Sequence, residues 1–93
     1  MIRSFKDRST ERFFEGRRVG AFHGFADQAV RCLTLLASAE SLDDLAALQN
    51  NRLESLRGDR KGQWSIRINA QWRFCFRWEE DGPWDVEVVD YHD

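Results

Sequence analysis

The feature that most constrains this chain is the alternation in its last third. In residues 63–69, Trp64, Ile66 and Ile68 fall on one parity and Ser65, Arg67 and Asn69 on the other. In residues 72–78, Trp72, Phe74, Phe76 and Trp78 share a parity, leaving Arg73, Cys75 and Arg77 opposite. In residues 85–91, Val86 and Val88 match the apolar set, while Glu87, Val89 and Tyr91 match the other. Successive side chains of a strand project to opposite faces, so this pattern builds one face for burial. The other face gathers Arg67, Arg73, Arg77 and Tyr91, provided no bulge intervenes.

Turn signals separate these strands. Gly58 and Gly62 flank one turn, Asn69-Ala70-Gln71 makes a second and Asp81-Gly82-Pro83 a third. Connections this short favour antiparallel neighbours. A strand at about 52–57 is expected before them. Its Leu53 and Leu56 have opposite parity, which a bulge or an early strand end would reconcile.

The apolar face needs a cover, and the first half of the chain supplies it. Residues 2–6 read as a short first strand. Asp7 or Ser9 is placed to cap a short helix holding Phe13 and Phe14, ended by Gly16. A longer helix is expected over about 22–38, where Phe22, Phe25, Ala26, Ala29, Leu33, Leu36 and Ala37 recur at helical spacing. Ser41-Leu42-Asp43-Asp44 starts a brief third helix, and Asn50-Asn51 breaks the chain before the sheet.

The length of 93 residues suits one domain spanning 1–93. Cys32 and Cys75 belong to no metal or CxxC spacing and are flanked by apolar residues, so two buried thiols in a reducing compartment are expected. No apolar run approaches the roughly 18 residues that span a bilayer, and no signal-type apolar stretch follows Met1. The expected location is the cytoplasm, with no membrane partner.

Net charge is −2, which by itself speaks against nucleic acid, but the charge is unevenly spread. Residues 52–77 carry seven basic side chains against Glu54 and Asp59; residues 78–93 carry seven acids and no Lys or Arg. The local field steers a phosphate chain to a site, whatever the total.

The chain has no P-loop, GxSxG elbow, HExxH or GxGxxG, and its two histidines, His23 and His92, make no metal cluster with neighbouring ligands. His23 is expected to be structural or solvated. What remains is an arginine-rich sheet face and the polar segment Asp90-Tyr91-His92-Asp93. RNA cleavage suits such parts, because the ribose 2′-hydroxyl is itself the nucleophile. The protein must orient it, supply a base and an acid, and place cations around the phosphorane. Arginine's charged planar fork bonds two phosphate oxygens at once. On pattern alone, exposed arginines also serve as solubility devices or edge guards, and a terminal Tyr-His as packing.

The segment Gly58-Asp59-Arg60-Lys61-Gly62-Gln63-Trp64-Ser65-Ile66-Arg67-Ile68-Asn69, then Gln71-Trp72-Arg73-Phe74, Phe76-Arg77-Trp78 and Val88-Val89-Asp90-Tyr91-His92, resembles the HigB-type branch of the RelE toxins. The opening Ile2-Arg3-Ser4-Phe5-Lys6-Asp7 is similar as well, so the likeness covers nearly the whole chain. It implies an α+β fold, a small antiparallel sheet with two N-terminal helices packed on one face. It implies a metal-independent endoribonuclease without cofactor that enters the ribosomal A site and cuts mRNA by 2′-hydroxyl attack. It also implies a helix-turn-helix, HigA-like antitoxin as partner, with operator DNA reached only through that antitoxin.

By the same resemblance, Arg73 matches an arginine that contacts the scissile phosphate. Asp90 and Tyr91 match C-terminal residues tied to catalysis, and His92 the end of the same motif. Arg60, Lys61 and Arg67 match basic positions expected to hold RNA backbone, and Arg57 and Arg77 are read as further backbone grips. The chain departs from its relatives at two positions: Glu54 stands where histidine is frequent and Arg57 where lysine is. Glu54 is a candidate base, although arginines around it oppose that role, and Arg57 is a poor proton donor. These departures leave a second reading open, a catalytically silent toxin fold acting through its antitoxin. A third, an unrelated RNA- or protein-binding domain, would need Trp64, Trp72, Trp78 and Trp84 exposed for stacking.

Overall fold

The computed structural model describes residues 1–48 and 52–90. Four helical stretches come first: α1 over Arg8–Phe14, a 3-10 helix over Gly20–Phe25, α2 over Ala26–Ser38 and α3 over Leu42–Ala46. Strands follow at β1 Glu54–Ser55, β2 Trp64–Arg67, β3 Trp72–Glu79 and β4 Gly82–Asp90, with a 3-10 turn at Gly58–Arg60 between the first two. They form one antiparallel sheet in the order β1-β2-β3-β4. This is an α+β fold with its helices packed against one side of a small sheet.

The predicted helix over 22–38 is two pieces. Phe22 and Phe25 are buried three residues apart, and three residues per turn stacks such a pair on one side. The α-helical ladder starts only at Ala26, after Phe25 adopts φ −136°. From there Ala29, Cys32, Leu33 and Leu36 bury one stripe. That stripe meets Ile66, Ile68, Phe74, Phe76 and Val86 from the sheet in a common core. Phe25 stacks on Trp72 with ring centroids 4.7 Å apart.

α1 is ended by Gly16 at φ +88°, as its sequence position implies. Its Asp7 cap residue makes no side-chain capping bond, whereas Ser41 accepts from the Asp44 amide at the start of α3. Buried Thr10 of α1 accepts from the Val88 amide of β4, so one edge group of the sheet is satisfied by a helix side chain.

The first strand, expected at 2–6, is a parallel edge with a single bridge, Phe5 to Val86. The Arg3 and Lys6 amides donate to the Pro83 and Val86 carbonyls, and the Val86 amide donates to Ser4. The early strand end reconciles Leu53 with Leu56: β1 stops at Ser55, and Leu56 turns inward to 6% exposure while its amide bonds the Gln63 carbonyl. The breaker Asn50-Asn51 lies outside the described residues.

A bulge does intervene between β3 and β4. Cys75 pairs with Glu87 but Arg77 pairs with Trp84, so β4 holds one residue more than β3 there. Asp85 takes φ +54° at this point, and Ser4 receives a hydrogen bond from its amide.

Candidate active site

The strand register lays two rows across the face opposite the helices. One runs Glu54–Ser65–Cys75–Glu87 and the next Arg67–Arg73–Val89. Paired residues project to the same side, so the parity argument holds for Arg67, Arg73 and Cys75. Glu54, whose strand was ambiguous in sequence, joins this face through its pairing with Ser65.

Arg73 is the centre of the arrangement. One of its terminal nitrogens donates to Ser65 Oγ at 3.1 Å and to the Arg52 carbonyl at 3.4 Å. The other donates to Glu54 Oε1 at 3.2 Å. Its side chain is only 12% exposed, against 49% for Glu54. Arg52 sits at φ +46°, and the chain entering β1 from it brings its carbonyl onto Arg73. Ser65 is fully buried beneath. A guanidinium fixed on this many sides loses little rotamer freedom on meeting a phosphate.

The other end of the first row is also neutralised. Glu87, 14% exposed, takes Arg60 at 2.9 Å and Lys6 at 3.6 Å. Arg60 also donates to Gln63 Oε1. This basic turn residue, expected from the resemblance to hold RNA backbone, is paired with Glu87 in the fold. Beneath it Cys75 is fully buried, and burial pushes its thiol up while Arg60 works against that shift. Burial likewise raises the Cys32 thiol, which donates to the Arg67 carbonyl.

Arg77 does not converge with Arg73. Past the bulge it is held by Asp85 at 2.9 Å and Glu79 at 2.7 Å, and these carboxylates favour its charged form. Arg57 and Lys61 are exposed on the turn that carries Arg60. Asp90 pairs with Trp72 and so shares the helix-side parity; Gln71 donates to it at 3.3 Å. Tyr91 and His92 lie outside the described residues. Trp64, Trp72 and Trp78 pack against the core, so the stacking platform of the third reading is not built from them. Trp84 bonds Asp81 through its indole nitrogen. Among the described residues, no group of three or more His, Cys, Asp or Glu side chains is placed to hold a metal ion.

Residues 3–92 match the HigB-like toxin family, the RelE-like toxin of the type II toxin–antitoxin system HigB. The chain belongs to this family. Among HigB-like relatives, Toxin HigB-1 of Vibrio cholerae is 38% identical over 80 residues, 84% of each chain. Endoribonuclease HigB of Proteus vulgaris is 32% identical over 95 residues, covering 99% of this chain and all of the relative. The HigB-like fold also superposes on a chain of the YoeB–YefM complex from Staphylococcus aureus, with a TM-score of 0.62 at 16% identity over the whole chain and 97% of that one. A HigB-like toxin is one half of a toxin–antitoxin pair, so an antitoxin is its partner.

Proposed function

We propose that this toxin is an endoribonuclease that cuts mRNA at the ribosome, with Arg73 holding the scissile phosphate. The observation that carries the reading is the braced Arg73 guanidinium on the open sheet face, with a second arginine, Arg67, directly across from it. Placing like charges opposite each other on neighbouring strands weakens the sheet, and an anion drawn to that point relieves it. The name Endoribonuclease HigB, borne by the Proteus vulgaris relative, supports the same chemistry.

In the proposed step the ribose 2′-oxygen attacks phosphorus in line with the 5′-oxygen of the next nucleotide. A 2′-O–P bond forms and the P–O5′ bond breaks. A base takes the 2′-hydroxyl proton and an acid protonates the departing 5′-oxygen, leaving a 2′,3′-cyclic phosphate and a 5′-hydroxyl. Arg73 and Arg67 stabilise the extra charge on the pentacovalent phosphorane. Asp90, Tyr91 and His92 are the proton carriers from which base and acid are drawn; Glu54, the other candidate, is engaged by Arg73 in the free protein. Arg57, Lys61 and Arg60 line the approach to RNA backbone. The protein works in the cytoplasm, silenced by a helix-turn-helix, HigA-like antitoxin through which it reaches operator DNA.

Primer extension on mRNA in a translating extract tests this. Wild type is expected to cut within codons, and Arg73→Ala to lose at least about a hundredfold, equivalent to roughly 3 kcal/mol of transition-state stabilisation. Equal cutting by both proteins rejects the role of Arg73. No cutting by wild type leaves the silent, antitoxin-borne reading in its place.

A further inference from the structure

Glu54 has an unusual position for an acid on a face proposed to bind RNA. It projects from a two-residue edge strand, is half-exposed, and lies against the arginine that the site is built around. Arg73 meets partners of two kinds. Buried Ser65 and the exposed Arg52 carbonyl are neutral, whereas Glu54 is a charged, half-exposed partner on the sheet edge. A carboxylate and a phosphate both offer the guanidinium fork a pair of charged oxygens, so they compete for the same donors. Glu87 shows what a structural acid on this face looks like: it is 14% exposed and held by Arg60 and Lys6 together. Glu54, 49% exposed on the outermost strand, is held far more loosely.

We propose that Glu54 is a placeholder anion, occupying on Arg73 the position that the scissile phosphate takes when RNA binds. Substrate binding is then an exchange, in which the carboxylate swings out over the sheet edge as the phosphate enters. In the free protein Glu54 offsets the repulsion between Arg67 and Arg73. It also lowers affinity for any stray phosphate that lacks the further backbone contacts of a bound message. Glu54 thereby acts as a specificity-determining residue, and this inference rests on the reading of Arg73 as the phosphate holder.

Binding of a 2′-O-methyl oligoribonucleotide, which cannot react, separates this from a bracing role. The probe is measured by fluorescence anisotropy against wild type, Glu54→Gln, Arg73→Ala and the double variant. Glu54→Gln is expected to bind about three- to fivefold tighter than wild type, the range for loss of a competing exposed ion pair. In the Arg73→Ala background the same substitution is expected to change binding by less than about 1.5-fold, because the contested donors are gone. Equal tightening in both backgrounds overturns the proposal, since it shows general removal of negative charge. Unchanged or weaker binding of Glu54→Gln overturns it too, showing that Glu54 braces Arg73. The comparison of wild type with Arg73→Ala alone tests the underlying reading separately: undiminished binding there removes Arg73 as the phosphate holder.

Discussion

Arg67 and Arg73 are Cα partners across β2 and β3, and such a like-charge pair costs a sheet roughly 0.2–1 kcal/mol. We expect Arg67→Thr, which suits a strand, to raise stability in urea by an amount in that range while weakening RNA binding. A loss of stability on this substitution would show that the pair is already fully compensated. That these two arginines share a face with Cys75 was legible from alternation alone. That Glu54 joins them was not, because Leu53 and Leu56 gave its strand no consistent parity and only the pairing with Ser65 fixes it. Arg77 was read as a third member of the cluster and is drawn away by Asp85 and Glu79. Nothing in the alternation of residues 72–78 records a bulge on the neighbouring strand.

The β3–β4 hairpin is the element on which the rest depends, since it carries Arg73 and pairs with both β2 and the N-terminal edge. Its turn brings Gly82 to φ +125°, where a Cβ would stand 2.7 Å from the Met1 carbonyl oxygen. We expect Gly82→Ala to cost at least about 2 kcal/mol, from backbone strain and displacement of the N-terminal segment together. A urea titration showing unchanged stability would mean that the N-terminal edge contributes little. The sequence signal, Asp81-Gly82-Pro83, fell slightly late: the turn is Glu80-Asp81, and Gly82 and Pro83 already pair within β4, where Gly82 takes the positive φ that glycine tolerates. The helices were less legible. The apolar recurrence from Phe22 onward fits a helix throughout, yet Gly20 and Gly24 weaken the α-helical ladder and the Phe22–Phe25 spacing is satisfied by a tighter turn.

For the whole molecule, a net charge of −2 conceals a division of labour. The acids of β4 and its turn are spent on internal partners: Asp85 on Arg77, Glu87 on Arg60 and Lys6, Asp81 on Arg3. Charge counting along the sequence located the basic segment but could not show which of its members meet a carboxylate in the fold. Arg60 and Arg77 spend theirs on carboxylates, and Arg57 and Lys61 stay exposed on the turn. The helices cover one side of the sheet, and the other carries Arg67, Arg73 and Glu54, the face proposed to meet RNA.

Cleavage through the ribose 2′-hydroxyl, with its phosphate held by Arg73, is read most directly from the ends of the RNA fragments. Messages cut in a translating extract by the wild-type protein are expected to carry 2′,3′-cyclic phosphate on the upstream fragment and 5′-hydroxyl on the downstream one, both lost with Arg73→Ala. Fragments beginning with a 5′-phosphate would mean that some other nucleophile attacks the phosphorus, and would contradict the chemistry assigned to this face.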